Sequence, residues 1–221
     1  MLITLSRQLG SEGDVIAARV AAALGLLLVD REYIRGAALA AGVPAELLQK
    51  LMYEGRRSLA GEILDSLLGA PAGASGRLAP ASPLGGVFTP LMPPSSINLE
   101  EAVQTIGLVI KDVASQGDVL VLGQGGQVWL HDYQGACHIK VMAPLETRVA
   151  RVAEREGLSV AAARRKVRAS DAARNDYLAR YHNINWLDPL HYHLVINTGQ
   201  APPEVAVSLI VHAAQVVGRG G

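Results

Sequence analysis

Five short apolar runs, each nearly continuous rather than alternating, constrain the fold of this 221-residue chain more than any other feature. They are Leu2 to Leu5, Leu26 to Val29, Val119 to Leu122, Ile139 to Met142 and Leu194 to Ile196. Strands that are covered on both faces have this composition, and several of the segments between them have helical spacing. The sequence therefore predicts an α/β fold, in which a five-stranded parallel sheet is flanked by crossover helices.

The segments between the runs predict the helices and the domain organisation. Asp14 to Leu24 has apolar side chains at helical spacing and is followed by Gly25, a residue type that commonly ends a helix. Helical patterns also cover residues 44–68 and Asn98 to Ser115, whereas residues 69–96 are crowded with Pro, Gly, Ala and Ser. This pattern predicts one domain over the whole chain, with a flexible loop at 69–96.

The charges of the chain balance, with 20 basic and 20 acidic side chains. The protein has no overall field to attract nucleic acid or anionic membranes, so we expect neither as a partner. The single cysteine, Cys137, cannot form an internal disulfide, which fits a reducing compartment. The sequence shows neither a signal-peptide pattern nor an apolar stretch of about 20 residues that would span a membrane. We expect a soluble cytoplasmic protein, and the sequence leaves a homo-oligomer open.

The first apolar run leads through a glycine-containing turn, Ser6 to Asp14, into the first predicted helix. Backbone N–H groups and a helix N-terminus commonly bind phosphate in this position, which makes the turn a candidate P-loop. A standard P-loop has a lysine and a hydroxyl residue after its last glycine, but here Asp14 and Val15 follow Gly13. The carboxylates of Glu12 and Asp14 would also satisfy the free N–H groups or repel phosphate. The residues alone therefore leave both a phosphate loop and a capped turn open.

Further segments occur in a fixed order along the chain. The longer ones are Thr4-Leu-Ser-Arg-Gln-Leu-Gly-Ser-Glu-Gly-Asp14, Val29-Asp-Arg-Glu32, Leu122-Gly-Gln-Gly-Gly-Gln127 and Tyr192-His-Leu-Val-Ile-Asn-Thr-Gly199. The shorter ones are Ala143-Pro-Leu-Glu-Thr-Arg148, Arg155-Glu-Gly-Leu158 and Trp186-Leu-Asp-Pro189. Together they resemble the cytidylate kinase-like family over nearly the whole chain outside residues 69–96.

The resemblance implies a P-loop nucleoside-monophosphate-kinase fold. An acceptor-binding helical part would cover residues 31–117, and an arginine-rich helical lid would cover residues 148–181. The implied reaction is phosphoryl transfer from ATP to a nucleoside monophosphate such as CMP or dCMP, with Mg²⁺ carried by the ATP. Nucleotides are therefore the expected binding partners.

The resemblance assigns ATP binding to the turn after the first strand, and family members also lack a lysine at the position of Gly13. The implied ATP-binding residues are Ser6, Arg7, Gly10, Ser11, Glu12, Gly13 and Asp14. Two positions depart from the family pattern: Glu12 replaces a glycine of G-S-G-G, and Gln124 replaces the arginine of G-R-G-G. Glutamate adds a negative side chain to a crowded turn and glutamine removes a cation, so both changes weaken the expected anion binding.

The implied acceptor site begins at Asp30, which resembles the family aspartate that faces the acceptor sugar. An aspartate in this position is also an ordinary helix cap. Arg31 or Arg35 could meet the acceptor phosphate, and their spacing does not choose between them. The turn after the third strand lacks the spacing of a dinucleotide-binding fingerprint. The resemblance instead implies that this turn forms part of the acceptor site. The predicted substrate-binding residues are Asp30, Arg31, Arg35, Gly123, Gln124, Gly125 and Asp171.

The strongest charge feature is the segment Arg148 to Arg180, which has nine basic and four acidic residues. Its arginines recur at spacings of three and four on either side of a turn at Gly157, so each group shares one face of a helix. Phosphoryl transfer needs alignment and cations more than covalent help, and guanidinium groups bind phosphate oxygens in pairs. The resemblance extends to an R…D…R pattern at Arg168, Asp171 and Arg174. The predicted catalytic residues are Arg165, Arg168 and Arg174.

Other interpretations of these residues remain. The arginine segment could be a solvated helix with pairs such as Asp171 with Arg174. Contact with RNA or DNA is disfavoured, because aromatic residues within the segment are limited to Tyr177 and Tyr181. Two pairs of potential ligands suggest a metal but lack a carboxylate at paired spacing, so packing is favoured and no metal centre is predicted; they are His191 with His193, and Cys137 with His138.

Two functions other than catalysis also remain. The chain could be a catalytically impaired nucleotide-binding regulatory protein that keeps the fold without the cations expected near Gly13 and at Gln124. It could instead be an interaction protein that docks on a partner through apolar side chains of the loop at 69–96, namely Val87, Phe88, Leu91 and Met92. Trp186, by the resemblance, packs the base of the lid.

Overall fold

A single parallel sheet organises the computed structural model, which describes residues 1–51 and 97–218. The strands stand in the order β2-β3-β1-β4-β5, and each adjacent pair is parallel. They are β1 (Leu2–Arg7), β2 (Leu27–Val29), β3 (Val119–Leu122), β4 (Ala136–Met142) and β5 (Leu194–Asn197). The predicted α/β class and five-stranded parallel sheet are confirmed, although β1 continues to Arg7 and β4 begins already at Ala136.

Helices connect the strands and cover both faces of the sheet. In chain order they are α1 (Gly13–Leu24), α2 (Arg31–Ala40), α3 (Ala45–Leu51), α4 (Leu99–Ser115), α5 (Gly126–Trp129), α6 (Leu145–Glu156), α7 (Val160–His182) and α8 (Pro203–Val217). A short 3₁₀ helix, Pro189–His191, precedes β5. The predicted helices at Asp14 to Leu24 and Asn98 to Ser115 differ from α1 and α4 by one residue at their starts.

Side-chain alternation along β1 divides the core into two layers. Ile3 and Leu5 face α1 and α8, whereas Leu2 belongs to the layer formed with α2, α3 and α4. The same alternation on β4 places Cys137 in the first layer and directs His138 to the opposite face. Both faces are covered by helices, which explains why the strands read as continuous apolar runs.

The helices α6 and α7 form a hairpin with a small core of its own. Gly157 ends α6 in a left-handed conformation with φ of 63°, and the Ser159 hydroxyl caps α7 by accepting from the Ala162 amide. Four buried apolar side chains join the two helices, namely Val149, Val152, Ala163 and Val167. The turn predicted at Gly157 is therefore present.

Part of the predicted acceptor-binding region lies outside the described residues. Of the helical pattern at 44–68, the structure places Ala45–Leu51 in α3. The remainder, the loop at 69–96 and its apolar side chains Val87, Phe88, Leu91 and Met92 fall in the segment that is not described. Within the two described segments, no helix combines the length and apolar character needed to cross a membrane.

Candidate active site

A cleft opens at the carboxyl ends of β1 and β3 and is closed on its far side by α7. Its walls are formed by Ser6, Arg7, Leu51, Gly123, Gln124, Gly125, Gln127, Ala173, Arg174, Tyr177, Leu178 and Trp186. On the sheet, β2 and β3 lie on one side of β1, and β4 and β5 lie on the other. Ligands of open α/β sheets bind outside the carboxyl ends of strands where the strand order reverses in this way.

The β1–α1 loop reaches α1 without a side-chain cap. Glu12 takes the N-cap position in a left-handed conformation, with φ of 63°, and its carboxylate makes no capping hydrogen bond. Instead, Oε2 of Glu12 lies 3.2 Å from Nη2 of Arg151, an ion pair whose geometry does not form a hydrogen bond. The alternative in which Glu12 satisfies the helix N–H groups is therefore not observed, and the helix N-terminus stays open to an anion.

Arg7 joins this loop to the turn after β3. Its guanidinium donates to Oδ1 of Asp14 through Nε at 3.1 Å and Nη2 at 3.0 Å. Its stem runs across Gly13 and its guanidinium packs against Gly123, where a β-carbon on either glycine would overlap it. Arg7 is only 7% exposed, so it is a fixed part of the cleft wall and Asp14 is neutralised by it.

The turn after β3 holds three consecutive residues in the left-handed conformation. They are Gly123, Gln124 and Gly125, with φ of 80°, 53° and 72°. Two of these positions have glycine, which adopts this conformation without a steric cost, but Gln124 has a β-carbon. The turn is anchored by the Gly123 amide, which donates to the Leu5 carbonyl at 3.0 Å. The backbone therefore bends back toward the cleft at the position where the family pattern has arginine.

Two arginines of the predicted lid hold the β1–α1 loop from its outer side. Arg148 is buried, donates to the carbonyls of Ala143 and Leu9, and binds both carboxylate oxygens of Asp171 at 3.1 and 2.9 Å. Arg151 donates to the carbonyls of Gly10 and Thr198 at 3.4 and 2.9 Å. These side chains brace the loop rather than cover it.

The proposed pairing of Asp171 with Arg174 is not what the structure shows. Asp171 is taken by Arg148, and Arg174 donates to the Ser170 hydroxyl at 2.5 Å. Arg174 also lines the cleft, with its guanidinium carbon 5.9 Å from the centre of the Trp186 ring. Of the three predicted catalytic arginines, Arg174 alone lines the cleft, because Arg165 and Arg168 are exposed elsewhere on α7.

The predicted residues after β2 lie apart from the cleft lining. Asp30 caps α2, accepting from the Tyr33 amide at 2.9 Å, as its alternative interpretation predicted. Arg35 pairs with Glu32 at 3.1 Å on an exposed surface, and Arg31 is half-buried at the start of α2. None of these three predicted substrate-binding residues lines the cleft.

Sequence reasoning missed Lys140, which lies on β4 directly opposite Ser6 of the cleft wall. Lys140 is fully buried, and its ammonium donates to the Trp186 carbonyl at 2.7 Å. Burial and, to a smaller extent, the nearby Arg174 cation lower the pKa of Lys140 to about 7, although Asp171 opposes both effects. A lone lysine inside the apolar run Ile139 to Met142 was the available signal, because buried strands rarely hold an unpaired charge.

Two neutral polar side chains of the cleft wall have no hydrogen-bond partner. The amide nitrogen of Gln127 and the hydroxyl of Tyr177 are both buried, and neither has a partner within residues 1–51 and 97–218. Burial raises the pKa of Tyr177, so its hydroxyl keeps its proton. Orphaned buried groups of this kind are uncommon and suit a ligand that would complete them.

The histidines form a packing cluster beneath the sheet edge. His138 Nδ1 lies 2.8 Å from the Thr4 hydroxyl, and the His138 amide donates to His193 Nδ1 at 3.0 Å. Burial, together with the nearby His193 and His131, lowers the pKa of His138 to about 4. Within the described residues, no group of three His, Cys, Asp or Glu side chains could hold a metal ion.

Comparison with known proteins relates this chain to a protein family. A model of the cytidylate kinase-like family matches residues 2–200. The cytidylate kinase of Haloarcula marismortui is 26% identical over 106 residues, which cover 48% of this chain and 55% of that protein. The uronate isomerase of Corynebacterium glutamicum is 39% identical over 102 residues, but these cover 46% of this chain and 20% of that protein. The chain thus matches about half of one relative and a fifth of the other.

A solved structure extends the likeness of fold. An uncharacterized protein from Eubacterium ventriosum superposes on 97% of this chain and 98% of its own, with a TM-score of 0.64. The two chains are 16% identical, so this likeness concerns the fold alone.

Proposed function

The chain belongs to the cytidylate kinase-like family, and from that premise we propose that it transfers a phosphoryl group from ATP to a nucleoside monophosphate, CMP or dCMP. The observation that carries the proposal is the cleft itself, which is lined by Arg7 from β1 and Arg174 from α7. Two guanidinium groups at the carboxyl edge of a parallel sheet suit a ligand with several phosphate oxygens. A cytoplasmic location is part of this proposal.

The β1–α1 loop supports ATP as the donor. The twelve-residue helix α1 begins without a side-chain cap, which leaves its N-terminal N–H groups for phosphate oxygens. Mg²⁺ bound to the ATP phosphates would help neutralise the transferred group. Asp14, which is exposed beyond its contact with Arg7, would meet the ion through water. The loop lysine of a standard P-loop has no counterpart here, so the arginines take the larger share of the charge.

Neutral polar groups of the cleft wall support a nucleoside as the acceptor. Gln127 and Tyr177 offer hydrogen-bonding groups without a charge, which suits a base or sugar better than a second phosphate. A ligand with an anionic group for Arg7 and Arg174 and neutral polar groups for Gln127 and Tyr177 matches the composition of the cleft. Holding that ligand in line with the donor phosphate is the main requirement of the reaction.

A catalytically impaired nucleotide-binding protein is the second candidate, and a specific observation favours it. Glu12 and Asp14 place two carboxylates at the N-terminus of α1, and Gln124 presents no cation at the turn after β3. Both carboxylates are partly neutralised by Arg151 and Arg7, which reduces their effect on a phosphate. Binding without transfer is the behaviour that this arrangement would give.

A transfer assay with ATP, Mg²⁺ and a panel of nucleoside monophosphates distinguishes the two candidates. We expect turnover with CMP or dCMP, and we expect Arg174→Met to reduce kcat/KM by about two orders of magnitude, as the loss of a phosphate-stabilising cation does. Arg155→Met, at an exposed arginine paired with Glu156, is the matched control and should retain activity. Measurable ATP or CMP affinity without turnover would favour the impaired protein, and the absence of both affinities would exclude both candidates.

A further inference from the structure

Lys140 is a buried cation behind the wall of the cleft, and neither donor nor acceptor binding as described above uses it. It shares the sheet face of Ser6, its register partner on β1, and has no exposed surface. Burying an ammonium group is costly even with a hydrogen bond, whereas a methionine of similar length would fill the same space without that cost. An ionisable group that lies beside a cleft and has a strongly shifted pKa is therefore a candidate functional residue.

The contacts of Lys140 form a stack that ends in the cleft. The ammonium lies 4.9 Å from the ring centre of Tyr192 and 3.8 Å from that of Trp186. Its hydrogen bond to the Trp186 carbonyl is shared with the Tyr192 hydroxyl, which donates to the same oxygen at 2.9 Å. Arg174 then contacts the Trp186 ring from the cleft. Aromatic rings and cationic side chains therefore alternate in the order Tyr192, Lys140, Trp186 and Arg174.

This stack ends at the guanidinium of Arg174, which lines the cleft. Trp186 is 1% exposed and follows the end of α7, so helix packing alone does not hold its indole. The bond from Lys140 to its carbonyl and the ammonium against its ring hold both the backbone and the side chain. Arg174 donates to the Ser170 hydroxyl and lies against this ring.

We propose that Lys140 is a positioning residue that holds Trp186 and, through the Trp186 ring, sets the position of Arg174 in the cleft. The role of Arg174 in phosphate binding rests on the proposed function, but the arrangement of the stack does not. Two charged groups from α7, Arg174 and Asp171, lie near Lys140, and Asp171 is paired with Arg148. The other titratable neighbours are Tyr192 and, on the same face of β4, His138.

Ligand-free spectroscopy tests the stack independently of any activity. The protein has two tryptophans, so a Trp129→Phe background leaves Trp186 as the sole indole reporter. We expect Trp186 fluorescence to titrate with a midpoint near pH 7, because burial and the Arg174 cation lower the pKa of Lys140 to about 7. Lys140→Met should abolish this transition. In the same variant the Nε–H resonance of Arg174, measured by NMR, should shift relative to the parent protein.

Two variants guard against a merely structural effect. Lys140→Gln retains a donor for the Trp186 carbonyl without a charge, so it should restore the Arg174 resonance in part while still lacking the transition. Lys111→Met, made in the protein that retains Trp129, is the matched control for the Arg174 resonance, because Lys111 is an exposed lysine 5.7 Å from the Trp129 ring. An unshifted Arg174 resonance in Lys140→Met, or a Trp186 transition that survives in it, would overturn the proposal.

A double-mutant cycle with CMP as the probe tests the consequence for binding. We expect Lys140→Met to weaken CMP affinity about tenfold, and the double variant with Arg174→Met to bind within about threefold of Arg174→Met alone, because coupled neighbours are not additive. The changes in Lys111→Met and Arg174→Met should instead combine independently. Additive losses for Lys140 and Arg174 would count against the proposal. If the parent protein does not bind CMP, the proposed function fails and the spectroscopic test still decides the role of Lys140.

Discussion

The guanidinium group of Arg7 occupies the space that a β-carbon on Gly123 would need. The same side chain crosses Gly13, so one arginine requires glycine in two loops that follow different strands. The β1–α1 loop and the turn after β3 are thus fitted to each other across Arg7. A substitution at either glycine should therefore perturb both loops.

Gly123→Ala should destabilise the protein more than its backbone conformation alone predicts. A left-handed residue with a β-carbon costs about 1–2 kcal/mol, and the new methyl group must also displace Arg7. Gly117→Ala is the matched control, because Gly117 has a similar φ of 77°, against 80° at Gly123, but no atom within 4 Å of its added β-carbon. Urea denaturation should show the larger loss for Gly123→Ala. Equal losses in the two variants would show that Arg7 moves aside freely.

Asp171→Asn should destabilise the junction of α6, α7 and the β1–α1 loop. The variant leaves the buried Arg148 guanidinium without its carboxylate, which we expect to cost roughly 2–4 kcal/mol in the free energy of unfolding. Glu146→Gln removes a similar two-oxygen contact, that of Arg164 with Glu146, on an exposed surface. Exposed pairs contribute little, so this control should barely change the thermal midpoint. A small effect in both variants would mean that Arg148 finds other partners.

Glu12→Gly should increase ATP affinity if the carboxylate obstructs phosphate binding. Removing one negative charge near the site should strengthen binding by about tenfold, or about 1.4 kcal/mol. Glu12→Gln removes the charge but keeps the left-handed residue with its β-carbon, so it separates charge from backbone strain. Calorimetric titration with ATP and Mg²⁺ measures both variants. Unchanged affinity in both would argue against phosphate binding at this loop.

The stability of the protein should rise with pH between about 4 and 6.5 because of His138. Burial lowers its folded pKa to about 4 from the usual 6.5. In that window the unfolded chain binds a proton that the folded protein excludes, so stability falls as the pH drops. We expect His138→Asn to flatten this dependence in urea denaturation at pH 4.5, 5.5 and 6.5. His212→Asn, at an exposed position outside the histidine cluster, serves as the control, and an equal slope in parent and His138→Asn would contradict the assignment.

The sequence predicted the strands and helices well because each of them is recognised from the residues of its own short segment. The apolar runs at Val119 to Leu122 and the helix ended by Gly25 need only their own composition to be recognised. The site was harder, because its side chains are placed by tertiary contacts. Arg148 and Arg174 belong to the same charged segment, yet one is buried beneath a loop and the other lines the cleft. Helical spacing predicts which face of a helix a residue occupies, but it does not predict which residue from another element contacts it.

The left-handed turn after β3 separates the chemistry of position 124 from the folding of the chain. Gln124 already carries a β-carbon in that conformation, so Gln124→Arg would meet no new backbone strain beyond what is present. Its side chain borders the cleft, where a cation would act directly on an anionic ligand. The side chain at position 124 can therefore gain or lose a charge while the backbone of the turn stays the same. Selectivity for the charge of the ligand can change there without loss of protein stability.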